Sequence, residues 1–149
     1  MKKKLFAAAL LLPTLYVNMS HAAYKNETRE FSASCSNGGL TGHTKFVIAT
    51  QRNDAGKFVR ISAYHKEYKI TDNGRNKGNI TLELDWNSGS KTVEIADDTA
   101  RQDGDWHNLI WLTGSPVFSP QSKVSGGIFF KFDRGGADNE NCWTTFEIK

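Results

Sequence analysis

The clearest pattern in the chain is a strict alternation of apolar and polar residues over positions 80–86, from Ile80 to Trp86. This period of two is typical of a β-strand with one buried face and one solvent-exposed face. Four residues of turn composition follow at 87–90, and the alternation resumes over 91–95. Because such residues favour a chain reversal, the two segments together predict a β-hairpin.

Six further segments have the alternation or composition of strands: 30–35, 44–52, 57–65, 107–113, 128–133 and 142–148. Residues 53–56 predict a second hairpin turn, and a slip in the alternation at 65–67 predicts a β-bulge. No segment has the apolar spacing of an amphipathic helix, and 97–101 is expected to form one helical turn at most. About eight strands separated by turns predict an all-β fold, an antiparallel β-sandwich of the jelly-roll or immunoglobulin-like type.

The first 22 residues differ from the rest and are interpreted as a secretory signal peptide. Three lysines at 2–4 precede an apolar run over 5–17, and Ser20-His21-Ala22 provides small residues for cleavage. The run is shorter than the roughly 20 residues that span a bilayer. We therefore expect a single domain at 23–149, secreted or periplasmic, with a bacterial-type signal and no transmembrane segment after cleavage.

Removal of the signal peptide would change the charge balance. The full chain has 19 Lys and Arg against 16 Asp and Glu, and three of the lysines lie in the signal segment, which contains no acid. The remaining domain has equal numbers of basic and acidic residues. This composition argues against nucleic acid as a partner, because nucleic-acid-binding domains need a basic surface.

Cys35 and Cys142 are the two cysteines of the chain. In an exported domain an even pair favours a structural disulfide. Each falls on the apolar side of its predicted strand, as an internal bond requires. The pair lacks the Cys-x-x-Cys spacing of redox-active thiols. We therefore expect one disulfide that joins the first and last strands.

Aromatic residues provide the candidate binding surface. Five rings are expected to point away from the core: Trp143, Trp111, Phe129, Tyr64 and Tyr68. If these rings are neighbours, they form an apolar patch that can stack on a sugar or anchor a protein interface. The alternative is that both faces of each sheet are covered and the rings belong to an ordinary core.

Candidate chemistry is limited to two groups of polar residues. Asp105 and His107 lie two positions apart at a predicted loop-to-strand junction, where this spacing would place them on one face, so they are the candidate catalytic pair. The carboxylates of a neighbouring acidic segment are oxygen ligands of the kind that Ca²⁺ binds: Asp97, Asp98, Asp103 and Asp105. Their spacing does not fit an EF-hand loop, and apart from this calcium alternative no cofactor is expected.

The segment Asp103-Gly104-Asp105-Trp106-His107-Asn108-Leu109 resembles the Asp-Gly-x-Trp-His-x-aliphatic turn that leads into a strand in laminin-G-like and pentraxin-like jelly rolls. The resemblance covers these seven residues and implies a β-sandwich. It implies no particular activity, and those domains are usually longer than the 127 residues expected here.

Taken together, these features predict a non-enzymatic binding protein whose partner is a protein or a glycan. An adhesin or lectin, a toxin or pore-forming subunit, and an inhibitor or immunity protein are all open within this class, as is the oligomeric state. One alternative is a small secreted hydrolase that uses His107 with nearby carboxylates. The other is a structural surface component that assembles through sheet edges.

Overall fold

The computed structural model describes residues 23–112, 117–136 and 140–149, and the predicted signal peptide lies outside them. The described residues form strands β1 (Lys25–Asn37), β2 (Leu40–Arg52), β3 (Phe58–Ile70), β4 (Arg75–Trp86), β5 (Gly89–Gln102), β6 (His107–Leu112), β7 (Val117–Gln121), β8 (Val124–Phe132) and β9 (Glu140–Ile148). These described residues contain no helix that is long and apolar enough to cross a membrane.

The strands form two antiparallel sheets that pack against each other. Sheet A has the order β1-β2-β3-β6, and β7 also pairs with β3. Sheet B has the order β5-β4-β8-β9. The predicted antiparallel β-sandwich is therefore confirmed, and each sheet has one inner face and one outer face.

The buried side chains follow the predicted alternation. The inward residues of β4 and β8 are at most 1% exposed: Ile80, Leu82, Leu84, Ile128, Phe130 and Phe132. Sheet A contributes Phe46, Ile48 and Ile61 to the same core. Burial of this apolar surface is the main favourable contribution to folding. Because successive residues of a strand point to opposite sides, the alternate residues of each strand lie on the outer faces.

Glycine determines the first hairpin turn. Asn37 pairs with Leu40, so Gly38 and Gly39 are the two turn residues, with φ angles of 56° and 81°. A two-residue turn with both φ angles positive matches the twist of the flanking strands, and glycine adopts these angles without strain. The turn therefore sets the register of β1 on β2.

The β-bulge predicted at 65–67 is confirmed, and it changes which side of β3 is buried. Adjacent residues of β2 pair with His65 and Glu67, so Lys66 is one extra residue in β3 relative to β2. Because one extra residue exchanges the two faces of a strand, odd-numbered residues such as Ile61 are buried before the bulge and even-numbered residues after it. Tyr68 is therefore only 4% exposed, and the prediction that it points outward is wrong.

Residues 97–101, where at most one helical turn was expected, belong to strand β5. Gly78 pairs with Ala100 and Ile80 pairs with Ala96, so three residues of β5 lie opposite Asn79 alone. Asp98 in this bulge has a φ angle of 48°, in the left-handed region that Asp tolerates better than most residues. The bulge explains why the segment lacks a regular alternation.

Gln102 connects three segments at one end of the sandwich. Its side chain is fully buried. Its Nε2 donates to Asn73 Oδ1 and to the carbonyl of Asp133, each at 2.8 Å, and its Oε1 accepts the backbone N–H of Asp133 at 2.9 Å. The end of β5 is thus hydrogen-bonded to the β3–β4 connection and to the residue that follows β8.

The predicted disulfide is confirmed. Cys35 of β1 and Cys142 of β9 are bonded across a sequence separation of 107 residues. Both strands are edge strands, one of sheet A and one of sheet B. The bond therefore links the two layers directly.

Candidate binding surface

Trp143 lies on the outer face of sheet B and is 43% exposed. Cys142 points inward to its disulfide partner, so the next residue of β9 points outward. The cross-strand partner of Trp143 is Phe129 of β8, and their ring centroids are 6.5 Å apart. Two of the five rings that the alternation placed outside the core are therefore neighbours.

The indole of Trp143 lies against the backbone of Gly127. A Cβ atom at position 127 would come within 2.0 Å of Cζ2 of the indole. Glycine is therefore the residue that allows the ring to lie directly on the strand. The backbone supports the indole and limits its orientation. We call Trp143, Phe129 and Gly127 the indole platform.

Polar residues surround the indole platform. Thr145 of β9 pairs with Gly127, and Thr81 of β4 pairs with Phe129. Further across the sheet, Glu83 lies opposite Gly127, and Glu94 of β5 lies opposite Thr81. Hydroxyl and carboxylate groups beside an exposed ring can hydrogen-bond a polar ligand while the ring contacts its apolar face.

The other predicted rings do not join this surface. Tyr64 is 37% exposed but belongs to β3 of sheet A, whose outer face is on the opposite side of the sandwich. The backbone of Trp111 pairs with His65, and the side chain of Trp111 lies outside the described part of the structure. Tyr68 is buried, and its hydroxyl accepts the backbone N–H of Arg101 at 2.9 Å. Burial raises the pKa of this phenol.

Trp106 is an exposed indole that the sequence reasoning did not select as a binding residue. It is 44% exposed, and Lys45 Nζ lies 4.4 Å from the ring centroid. Lys45 also forms an ion pair with Glu67 at 2.6 Å. The ring of His43 lies 6.4 Å from the indole. Trp106 is thus already in a cation–π contact within the molecule, whereas Trp143 rests on backbone.

His107 is paired with a different carboxylate from the predicted one. Its Nε2 is 2.7 Å from Oδ1 of Asp103, and the same oxygen accepts the backbone N–H of Asp105 at 3.1 Å. The hydrogen bond with His107 is the main reason that the pKa of Asp103 is lowered. Asp105 lies in a turn before β6, so the strand-face argument for Asp105 and His107 does not apply.

The Asp103–His107 pair lacks a neighbouring nucleophile in the described part of the chain. The imidazole packs on the ring of Tyr68, with centroids 5.3 Å apart. None of its hydrogen bonds with described residues goes to a Ser, Thr or Cys side chain. A hydrolytic site of the acyl-transfer type needs a nucleophile within hydrogen-bond distance of the base. What the geometry shows is that the pair links the turn before β6 to the first residue of that strand.

The four carboxylates considered for calcium have separate surroundings. Asp97 accepts a hydrogen bond from Asn79 Nδ2 at 2.7 Å, and Asp103 is bonded to His107. Asp98 and Asp105 are exposed. Within the ranges that the structure describes, no three His, Cys, Asp or Glu side chains are grouped so that they could hold a metal ion.

Comparisons with protein-family models, with curated proteins and with solved structures found no match. The class that the geometry defines is a disulfide-linked β-sandwich with an exposed indole on the outer face of one sheet.

Proposed function

We propose that this protein is an exported, non-enzymatic binding protein that recognises a glycan or a protein with the indole platform. The observation that supports this most directly is Trp143, which lies on Gly127 and is nevertheless 43% exposed. A large ring that is already ordered loses little conformational freedom when a ligand covers it. Tryptophan is also enriched among the residues that contribute most to binding.

Two features support export to an oxidising compartment. Residues 1–22 have the composition of a secretory signal peptide. The Cys35–Cys142 disulfide is of the kind that persists in the periplasm or outside the cell. We therefore assign the binding site to a protein that is secreted or periplasmic.

The sheet edges favour binding through a face over assembly through edges. Edge strand β1 carries charged residues at four of its first six positions, and Lys25 and Glu27 form an ion pair at 2.7 Å. Edge strand β5 contains the bulge opposite Asn79. Charges and bulges on edge strands hinder pairing with another chain. The assembly alternative therefore has less support than recognition by the indole platform.

The first prediction concerns ligand affinity. We expect a glycan array, or a pull-down from the source organism, to identify a ligand for the mature protein. Trp143→Ala should then weaken binding by about 2 kcal/mol or more, roughly thirtyfold in Kd, because it removes the main contact ring. Isothermal titration calorimetry measures this loss. Trp106→Ala removes an equally exposed indole from the other side of the sandwich and should leave the Kd unchanged.

Ionic strength distinguishes the two partner classes in the same assay. Glu83 and Glu94 lie near the indole platform, and Glu147 follows it on β9. A basic protein bound there should lose affinity as salt rises, whereas a neutral glycan should not. An equal loss in Trp143→Ala and Trp106→Ala would contradict the proposal. The proposal would also be contradicted if neither screen identified a ligand and the protein had a hydrolytic activity that His107→Ala abolishes.

A further inference from the structure

A pocket of about 470 Å³ opens between the sheets at the end of the sandwich opposite Gln102. It lies where β2 and β9 end and where β3 and β8 begin. Phe58, Val124 and Ile148 form its apolar floor, and each is at most 4% exposed. The volume is within the range of about 300–1,000 Å³ that small-molecule sites occupy.

The mouth of this pocket is cationic. Its described lining includes Arg52, Lys123 and Lys149 but only one acidic side chain, that of Glu147. Lys149 Nζ is 3.9 Å from Glu147, and Lys123 takes part in no ion pair with a described residue. Positive charge therefore exceeds negative charge around an apolar floor.

Contacts within the protein fix the position of the Arg52 guanidinium at the pocket. Its guanidinium carbon lies 3.7 Å from the centroid of the Phe58 ring. Its Nη1 donates to the carbonyl of Gly56 at 2.8 Å. Its Nε also lies 3.9 Å from Oε2 of Glu27. These contacts restrict the side chain, so a ligand that contacts the guanidinium orders it at low entropic cost.

We infer that this pocket binds a small amphipathic anion of the medium-chain carboxylate class. The apolar chain lies on Phe58, Val124 and Ile148, and the carboxylate accepts hydrogen bonds from the cations at the mouth. A neutral apolar ligand would leave Lys123 without an ion-pair partner among the described residues, and a fully hydrophilic anion would not use the floor. The site is distinct from the indole platform and does not depend on the proposed function.

The test uses anilinonaphthalene sulfonate, a fluorescent amphipathic anion, with the oxidised mature protein. We expect saturable fluorescence enhancement that decanoate reverses and decanol does not. The double variant Lys123→Ala with Lys149→Ala should weaken decanoate roughly tenfold, because charged hydrogen-bond donors are lost. Ser122→Trp should abolish binding by filling the pocket, without a change in charge.

Two matched controls accompany these variants. Lys69→Ala with Lys77→Ala removes the same charge near the opposite ends of β3 and β4, and Ser90→Trp adds an indole at an exposed turn; both should leave decanoate affinity unchanged. Trp143→Ala should also leave it unchanged. Enhancement that decanoate does not reverse, equal competition by decanol, or loss in the lysine control would overturn the inference. It would also be overturned if phosphatidylglycerol vesicles, and not decanoate, bind in a manner that requires Lys123 and Lys149.

Discussion

Replacement of both Cys35 and Cys142 by alanine is expected to lower the free energy of unfolding by roughly 5 kcal/mol. The bond spans 107 residues, so its loss releases almost the whole domain in the unfolded state and raises the entropy of that state. Single domains are stable by only about 5–15 kcal/mol. The double variant should therefore lose roughly a third or more of its stability.

Urea unfolding, followed by tryptophan fluorescence, measures this loss. Chemical reduction of the native protein should reproduce it, because both treatments remove the same constraint. The control is Ser34→Ala with Thr145→Ala, two exposed positions on the same strands, which should change stability by less than about 0.5 kcal/mol. If the cysteine variant were as stable as this control, the contacts between the sheets alone would hold β1 and β9 together.

The parts of the fold that depend on local alternation could be predicted from the sequence. Residues 80–86 alternate without interruption, and the structure buries Ile80, Leu82 and Leu84 as that pattern requires. The bulge in β3 shows where this reasoning stops. The sequence indicated a slip at 65–67 but not its consequence, because one inserted residue moved Tyr68 from the predicted outer face into the core.

The candidate site could be predicted only in part, for a related reason. The outward direction of Trp143 follows from the inward direction of Cys142 in the same strand. The position of Gly127 beneath the indole cannot be predicted in this way, because it depends on the register of β9 on β8. The contact of Trp106 with Lys45 depends likewise on long-range pairing.

The sequence also gave no indication of the role of Gln102. A polar residue after the irregular segment 97–101 has the pattern of a solvent-exposed loop. The structure instead places it at the end of β5, fully buried and bonded to Asn73 and Asp133. Buried amides of this kind satisfy backbone groups that would otherwise be unpaired, and only the tertiary fold shows which groups those are.

Gln102→Leu is therefore expected to lower the free energy of unfolding by about 2–4 kcal/mol. Leucine has a similar size but can neither donate to Asn73 Oδ1 nor accept the N–H of Asp133, so both groups lose a partner. In Gln102→Glu the side chain can still accept the N–H of Asp133, but a charged carboxylate cannot donate to Asn73 Oδ1. This substitution should be destabilising at neutral pH, where the buried carboxylate is charged, and less so in acid, where the protonated carboxyl can donate again.

The matched control is Gln51→Leu, which makes the same chemical change at an exposed site, where the amide donates to Asn26 Oδ1. This control should change stability by less than about 0.5 kcal/mol in the same urea assay. If Gln102→Leu behaved like Gln51→Leu, the hydrogen bonds of Gln102 would contribute no more than those of a surface amide. A large loss confined to position 102 would instead mean that this one side chain holds the end of β5 to both neighbouring loops.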